Sequence, residues 1–322
     1  MIMNIKRLVY ENTHYSLLLY LLYDKEWANR DYLLYGDRFD TKFIKRFSKH
    51  VSTCKFETSS KICFRKSPIK YFFNRITEII RFRHVEEVYG NANTFHIPFK
   101  RIKRNVVEDG HGTKAEIENY FKGIYPNKLK EVIKVRQPIK YRGPNSFIVS
   151  KSLVEGYNLN TELEFVDINE SWNELCDSSK ERLVSIFVGS VELTEKKIDQ
   201  DSFLLLTQPF DNDGIMTEEV KLLGYEKIVR EFKINEKHLF IKPHPRETSN
   251  YKKIFPKAKV LDGNVPFEFF NFLNVKFDNI VTITSSAAFH VDKSVNVIFM
   301  GTSNHFLWPV NYPRSESVNY EQ

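Results

Sequence analysis

The chain has 322 residues, of which 42% are hydrophobic, 14% aromatic and 28% charged, a composition that excludes wholesale disorder and is typical of a soluble globular protein. A chain of 322 residues predicts two domains of about 150 residues each. The formal net charge of +7 and a sequence pI of about 9.0 favour an anionic partner, such as a nucleotide, an acidic sugar, a membrane surface or nucleic acid.

The cysteines and the N-terminal region indicate the compartment. Cys54, Cys63 and Cys176 are an odd number without metal-ligand spacing, and no N-terminal stretch resembles a signal peptide. The longest N-terminal apolar run, Tyr15–Tyr23, has nine residues, whereas a membrane crossing needs about 20. We therefore expect a core helix there and a cytoplasmic protein, with any membrane contact being peripheral on the inner face.

The N-terminal half alternates short apolar runs with helical stretches, which predicts an α/β domain over residues 1–160. Its strand candidates are "IKRLVYE", "DYLLYG", "EEVYG" and "RNVVEDG". The polar segment from about Asn158 to Ser179 is the expected domain boundary.

One of these strands runs into two carboxylates. In "NVVEDGHG" (Asn105 to Gly112), Glu108 and Asp109 follow the apolar run, and glycines after them let the backbone turn sharply. The acids are thus expected at the rim of the first sheet. Because Asp-Gly is also a common turn pair, a plain surface turn remains the alternative.

The C-terminal half has a clearer pattern of strands separated by helices, which predicts βαβ units, a parallel sheet and a Rossmann-like domain over residues 180–322. Predicted strands cover Arg182–Ser190, Ser202–Phe210, Lys237–Lys242, Ala258–Gly263, Asn279–Ser285 and Val295–Gly301. Predicted helices cover Thr217–Phe232, with Thr217 as its N-cap, Pro266–Leu273 and Ala287–Lys293.

A histidine between two prolines follows the strand Lys237–Lys242, in the stretch "IKPHPRE". The prolines restrict the backbone, so His244 is held in an extended conformation at the strand's carboxyl end. Ligands bind at that edge in open α/β sheets. A structural histidine tied to a loop is the alternative.

A pair of serines marks another transition from strand to helix. In "TITSSAAFH" (Thr282 to His290), Ser285 and Ser286 would present hydroxyls and unpaired N–H groups, which suit a phosphate. Simple helix capping is the alternative interpretation.

Together, the "EDG", "HP" and "SS" motifs resemble, in content and order, those of a group of bacterial sialyltransferases. Lys242 and Glu268 also match positions where that group keeps nucleotide-binding residues. The chain looks most like glycosyltransferase family 52, the lipooligosaccharide and capsule sialyltransferases. The resemblance implies a GT-B fold, with an N-terminal acceptor domain and a C-terminal CMP-binding domain facing each other across a cleft.

The resemblance also implies site roles. Asp109, or else Glu108, would be the base that deprotonates the acceptor, and His244 would stabilise the leaving phosphate. The residues implied in CMP binding are Lys242, Pro245, Glu268, Ser285 and Ser286. A single displacement would invert the anomeric centre, and no metal ion or other cofactor is implied.

The implied donor is CMP-N-acetylneuraminic acid, and the implied acceptor is a terminal galactose of a bacterial lipooligosaccharide or capsule. The family suggests a homodimer and an α-2,3 linkage. The sequence leaves open the linkage, the natural acceptor and whether Glu108, Asp109 or Asp213 is the base.

Several alternatives compete with this interpretation. A related GT-B enzyme could use another nucleotide sugar, and "DNDG" (Asp211 to Gly214) could bind a divalent metal, although helix caps are the favoured reading of it. His111 with Glu108, Asp109 and His244 could form a metallohydrolase site, but no HxH or HxxxH spacing supports that.

A non-enzymatic alternative rests on the basic segments Phe99–Arg104 and Lys42–Lys70, which would suit a protein that binds anionic surfaces. Because no recognition-module signature is present, nucleic acid is not a predicted partner.

Overall fold

The computed structural model describes residues 6–11, 13–36, 39–51, 54–58, 73, 76–77, 80, 82–90, 102–109, 113, 117, 146–151, 163–189, 201–289, 291 and 294–300. The chain divides into two compact units, Met1–Gly189 and Ser190–Gln322.

The first unit is built on a parallel sheet. Its described strands are β1 (Arg7–Tyr10), β2 (Tyr32–Gly36), β3 (Cys54–Thr58), β4 (Glu87–Gly90), β5 (Lys103–Val107), β6 (Ser146–Ser150) and β7 (Leu163–Val166). They lie in the order β3-β2-β1-β4-β5-β6-β7, and every described pairing is parallel. The strand order reverses between β1 and β4, which is where such sheets open a crevice for ligands. The four strand candidates of the N-terminal half are confirmed.

The described helices of this unit are α1 (His14–Tyr23), α2 (Thr41–His50), α3 (Ile168–Glu174) and α4 (Asp177–Phe187). α1 begins where Thr13 Oγ1 accepts a hydrogen bond of 3.1 Å from the backbone N–H of Ser16. Its apolar residues Leu17 to Leu22 are buried, so the expected core helix is confirmed. No helix in the described part of the chain is long and apolar enough to span a membrane.

The second unit carries a smaller parallel sheet. Its described strands are β8 (Phe203–Leu206), β9 (Leu239–Lys242), β10 (Lys259–Val260), β11 (Asn279–Thr282) and β12 (Asn296–Phe299), in the order β10-β9-β8-β11-β12. Two helices, α5 (Glu218–Glu231) and α6 (Glu268–Phe272), accompany them within the described residues. Here the order reverses between β8 and β11, the position at which open α/β sheets generally bind ligands.

Both faces of this second sheet are covered. Alternate residues of a strand point to opposite sides, so one strand can contribute to the core on each face. Leu205 of β8 belongs to a core cluster with Tyr225 and Ile228 of α5, whereas Leu204 and Leu206 join a cluster with Phe270 of α6. Thr217 caps α5 by accepting a 3.3 Å hydrogen bond from the backbone N–H of Val220. The predicted helix and its cap are confirmed.

Two predicted elements were wrong. The run Arg182–Ser190, expected to be a strand, lies largely in α4, where Leu183, Ile186 and Phe187 are buried at helical spacing. The helix expected over Ala287–Lys293 is instead a short 3-10 turn, Ser286–Phe289, as far as the described residues extend.

The boundary between the units also differs from the expected one. Part of the polar segment forms β7, α3 and α4, and α4 packs on α2 of the first unit. Arg46 Nε donates a 2.8 Å hydrogen bond to the carbonyl of Ile186, and Ser185 Oγ lies 2.8 Å from His50 Nε2. These contacts hold α4 in the first unit, so that unit extends to Gly189 instead of ending near residue 160.

Candidate active site

In the first unit, Glu108 and Asp109 directly follow β5, as expected. Glu108 is buried and connects the end of β5 to α1 and β6. Its Oε1 accepts a 2.9 Å hydrogen bond from the hydroxyl of Tyr15 in α1, and its Oε2 accepts a 2.6 Å hydrogen bond from the backbone N–H of Ser150 in β6. Burial raises the pKa of Glu108, although the bonds from Ser150 and Tyr15 oppose the rise. Glu108 thus has the surroundings of a structural brace.

Asp109, in contrast, is exposed. Its backbone N–H donates to Thr113 Oγ1 at 3.1 Å, and the same hydroxyl lies 3.2 Å from Asp109 Oδ1 as a donor. Thr113 therefore holds this turn through both the backbone and the carboxylate of Asp109, and the residue as a whole is exposed. Of the two acids, Asp109 is the one that a substrate can reach. His111 lies outside the described residues.

The surroundings of Glu108 allow it to be separated from Asp109 by mutation. Glu108→Gln can keep both hydrogen bonds, because its amide oxygen accepts from Ser150 N–H and its amide nitrogen donates to the Tyr15 oxygen. Glu108→Ala leaves the Ser150 N–H buried without its acceptor, which costs about 1–3 kcal/mol. We expect urea denaturation at pH 5 to show this loss for Glu108→Ala and little change for Glu108→Gln.

The raised pKa of Glu108 determines how its contribution to the free energy of unfolding changes with pH. A carboxyl whose pKa is higher in the folded state contributes stability below its unfolded pKa, and this is lost as pH rises through its folded pKa. The stability of Glu108→Gln relative to wild type should therefore be greater at pH 8 than at pH 5. An equal difference at both pH values would contradict this account of the buried acid.

In the second unit, His244 follows β9, and its imidazole is fixed by its own turn. The backbone N–H of Arg246 donates to His244 Nδ1 at 3.1 Å, so the neutral ring carries its proton on Nε2. Burial, with the charge of Arg246 as the next cause, lowers the pKa of His244 to about 4. Near neutral pH the ring is a neutral donor through Nε2–H.

Lys242, the last residue of β9, is buried beside this turn. Its ammonium donates a 3.1 Å hydrogen bond to the carbonyl of Gly263. Burial lowers the pKa of Lys242 to about 8, and the charge of Glu268, the buried first residue of α6, acts in the opposite direction. Gly263 is required here, because a Cβ on it would lie 2.7 Å from the carbonyl oxygen of Pro243.

The serine motif follows β11, which is separated from β9 by β8 alone. The backbone N–H of Ser285 donates to Thr282 Oγ1 at 3.0 Å, and Ser286 begins the 3-10 turn, with its side chain outside the described atoms. Pro245 is exposed in the His244 turn. The structure thus places the histidine and serine motifs after strands that flank β8, at the edge where the strand order reverses.

The "DNDG" turn does not cap α5, so that prediction was wrong. Asp211 Oδ1 instead accepts a 2.6 Å hydrogen bond from Lys221 Nζ. Asp213 forms a bidentate ion pair with the guanidinium of Arg246, in which Arg246 Nη2 lies 3.0 Å from Asp213 Oδ2. Each carboxylate holds a cationic side chain of the protein. Within the described ranges, no group of three His, Cys, Asp or Glu side chains is arranged to hold a metal ion.

Sequence patterns did not single out several residues that shape these edges. Tyr15, Thr113 and Ser150 hold the two acids, and Lys221 and Glu247 support the histidine turn. One signal was present: Lys221 lies four residues before buried Tyr225, so a lysine occupies the buried face of α5. A charge at such a position indicates a buried partner.

Three known proteins and a family model resemble this chain. It is 30% identical over 239 residues to an uncharacterised protein of Haemophilus influenzae, covering 73% of each chain. The GT-B domain of a Photobacterium damselae sialyltransferase matches with a TM-score of 0.54 at 15% identity, covering 91% of this chain and 90% of that one.

A 2,6-sialyltransferase of Photobacterium sp. JT-ISH-224, solved with CMP and lactose, matches with a TM-score of 0.54 at 13% identity, covering 91% of this chain and 71% of that one. At such identities the likeness shows the fold alone, and both units have the parallel sheets of a GT-B enzyme. The sequence model of glycosyltransferase family 52 matches residues 19–303. The chain therefore belongs to glycosyltransferase family 52.

Proposed function

We propose that this protein transfers sialic acid from CMP-sialic acid to a terminal galactose of a bacterial surface glycan, with an α-2,3 linkage. The observation that carries the proposal is the state of His244, whose Nδ1 is occupied by the Arg246 N–H. The ring therefore offers a single neutral donor, Nε2–H, at the ligand-binding edge of the second sheet. A departing phosphate needs such a donor.

In the proposed step, the galactose hydroxyl oxygen bonds to the anomeric carbon of sialic acid while the bond from that carbon to the CMP phosphate breaks. The electron pair of the broken bond leaves with CMP, and the proton of the hydroxyl passes to the Asp109 carboxylate. His244 donates a hydrogen bond to the phosphate oxygen as negative charge develops there. A single displacement of this kind inverts the anomeric centre.

The remaining residues of the second edge suit the nucleotide. Lys242 and Glu268 are both buried, the charge of Glu268 acts on the Lys242 ammonium, and a carboxylate is a common partner for ribose hydroxyls in nucleotide folds. Ser285 and Ser286 follow β11, and we assign them to the phosphate, with Pro245 contacting the donor. A positively charged chain also suits a donor that carries a phosphate and a carboxylate.

We propose that no metal ion takes part. CMP carries one phosphate, so less charge needs neutralising than with a nucleoside diphosphate. The best metal-ligand candidates, Asp211 and Asp213, already pair with Lys221 and Arg246. This favours charge stabilisation by protein donors.

The assay incubates the purified chain with CMP-sialic acid and lactose in EDTA and follows sialyllactose by mass spectrometry, with the linkage read by NMR. The proposal predicts α-2,3-sialyllactose with EDTA present. Transfer only from UDP- or GDP-sugars would support the alternative, a related GT-B enzyme with another donor. Transfer restored only by Mg²⁺ or Mn²⁺ would overturn the metal-independent mechanism.

A further inference from the structure

The turn His244–Glu247 is held by hydrogen bonds to the carboxylate of Glu247, whose side chain is fully buried. Oε2 accepts from the backbone N–H of His244 at 2.7 Å and from Thr207 Oγ1 at 2.5 Å. Oε1 accepts from the hydroxyl of Tyr251 at 2.6 Å and from Lys221 Nζ at 3.0 Å. Since a carboxylate offers about four acceptor sites, Glu247 is fully used.

Lys221 is satisfied in the same way. Its side chain is fully buried in α5, and its ammonium donates to Asp211 Oδ1 at 2.6 Å, Glu247 Oε1 at 3.0 Å and Ser249 Oγ at 2.8 Å. These three bonds use its three protons. The pair thus ties α5, the "DNDG" turn and the histidine turn together.

Net stability is a weak reason for this arrangement. Burying two charges costs several kcal/mol per ion, and apolar replacements of buried ion pairs are often neutral or stabilising. A fully bonded buried pair can instead fix one geometry, and here the bonds end on the histidine turn. Glu247 holds the backbone N–H of His244, and its own N–H closes the turn by donating to the His244 carbonyl at 2.9 Å.

The same turn sets which nitrogen of His244 carries the proton, because the Arg246 N–H lies within this turn and donates to Nδ1. A shift of the turn would break that bond and allow the other tautomer or another ring orientation. Arg246 is braced separately by its ion pair with Asp213 on the exposed side.

We propose that Glu247 and Lys221 are positioning residues that hold the His244 turn in the one arrangement that presents Nε2–H to the leaving phosphate. The inference rests on the proposed function for its kinetic effect. Its structural effect, a single fixed tautomer of His244, does not depend on which donor the enzyme uses.

The test uses Glu247→Gln and Lys221→Met in the full chain. Glutamine cannot accept at both ends, so either His244 N–H or the Lys221 and Tyr251 donors lose their acceptor. We expect kcat to fall roughly 10- to 100-fold, as for other residues that orient a functional group, with KM for CMP-sialic acid changed much less. Thr207→Val removes one donor to Glu247 without exposing a charge and should give a smaller loss of the same kind.

The second readout is the nitrogen-15 spectrum of histidine-labelled protein, with the His244 signals assigned by their absence in His244→Gln. Wild type should show one tautomer, protonated on Nε2, and Glu247→Gln should show a mixture or a shift of both nitrogens. This readout needs no activity, so it separates failure of this inference from failure of the proposed function.

Asp278→Asn is the matched control. Asp278 accepts from the backbone N–H and the hydroxyl of Ser202, at 3.0 and 3.1 Å, beside the start of β11 and away from the histidine turn. We expect it to leave kcat and the His244 spectrum unchanged. The inference is overturned if Glu247→Gln keeps the wild-type tautomer, or if Asp278→Asn reproduces its losses. If Glu247→Gln does not fold, the same two comparisons, of the His244 tautomer with wild type and of the losses with Asp278→Asn, are made with Thr207→Val and Lys221→Met.

Discussion

Replacing Asp109 by Asn is expected to lower kcat roughly 10²- to 10⁴-fold, the usual worth of a general base, while leaving CMP binding nearly unchanged. Asparagine has the same shape and can keep the bond from the Thr113 hydroxyl, which lies 3.2 Å from Asp109 Oδ1. It cannot take a proton from the galactose hydroxyl. Steady-state kinetics with lactose, and calorimetric titration with CMP, measure the two effects separately.

Two variants control this experiment. Glu86→Gln removes an exposed carboxylate that pairs with Lys6 at the opposite end of the same sheet, and it should keep wild-type kcat. Glu108→Gln should keep most of the activity, because Glu108 is buried and bonded to Tyr15 and Ser150. If Asp109→Asn retains more than about a tenth of the wild-type kcat, the loss is smaller than that usually caused by removing a general base. The assignment of Asp109 as the base would then be wrong.

Replacing His244 by Ala is expected to lower kcat roughly 10²- to 10³-fold, as the loss of one preorganised donor to a developing oxyanion does in other enzymes. Unlike Asp109→Asn, this variant should also weaken CMP binding, because the same donor contacts the phosphate before transfer. Burial lowers the pKa of His244 to about 4, so the ring is neutral from pH 5.5 upwards. We therefore expect no inflection near pH 6.5 in the wild-type kcat profile from this residue.

His238→Gln is the control for His244, because His238 precedes β9 at its other end. It should leave kcat and the affinity for CMP unchanged. A rate that falls as pH rises through about 6.5, the ordinary histidine pKa, and that loses this dependence in His244→Ala, would show that the imidazolium is the active form. That result would contradict the neutral-donor mechanism.

Much of the fold could be predicted because local patterns and the global fold agree. The apolar runs that form β8 and β9 end at polar or proline residues, and the buried face of α5 repeats at helical spacing. The run Arg182–Ser190 misled because Leu, Val, Ile and Phe suit strands and buried helices equally. Its packing against α2 decides the outcome, and that contact is not encoded locally.

The candidate site was predictable only in its positions along the strands. Motif residues at strand ends are readable from the sequence, so Asp109, Lys242 and His244 were expected at sheet edges. Their partners were not, because Tyr15 meets Glu108 across 93 positions and Lys221 meets Glu247 across 26. Such pairs follow from tertiary packing, which also decides that Glu108 is buried while Asp109 is exposed.

Other expectations stay predictions. They are the homodimer, the peripheral contact with the inner membrane, the cytoplasmic location and the choice between lipooligosaccharide and capsule as acceptor. Likewise, the roles of the two units in acceptor and CMP binding rest on the family resemblance.

The most direct test is a crystal structure of the protein with CMP and lactose bound together. The account predicts His244 Nε2 within about 3 Å of a CMP phosphate oxygen, and an Asp109 carboxylate oxygen within about 3 Å of a galactose hydroxyl. CMP seated away from His244, or lactose bound with Asp109 out of hydrogen-bonding reach, would contradict it.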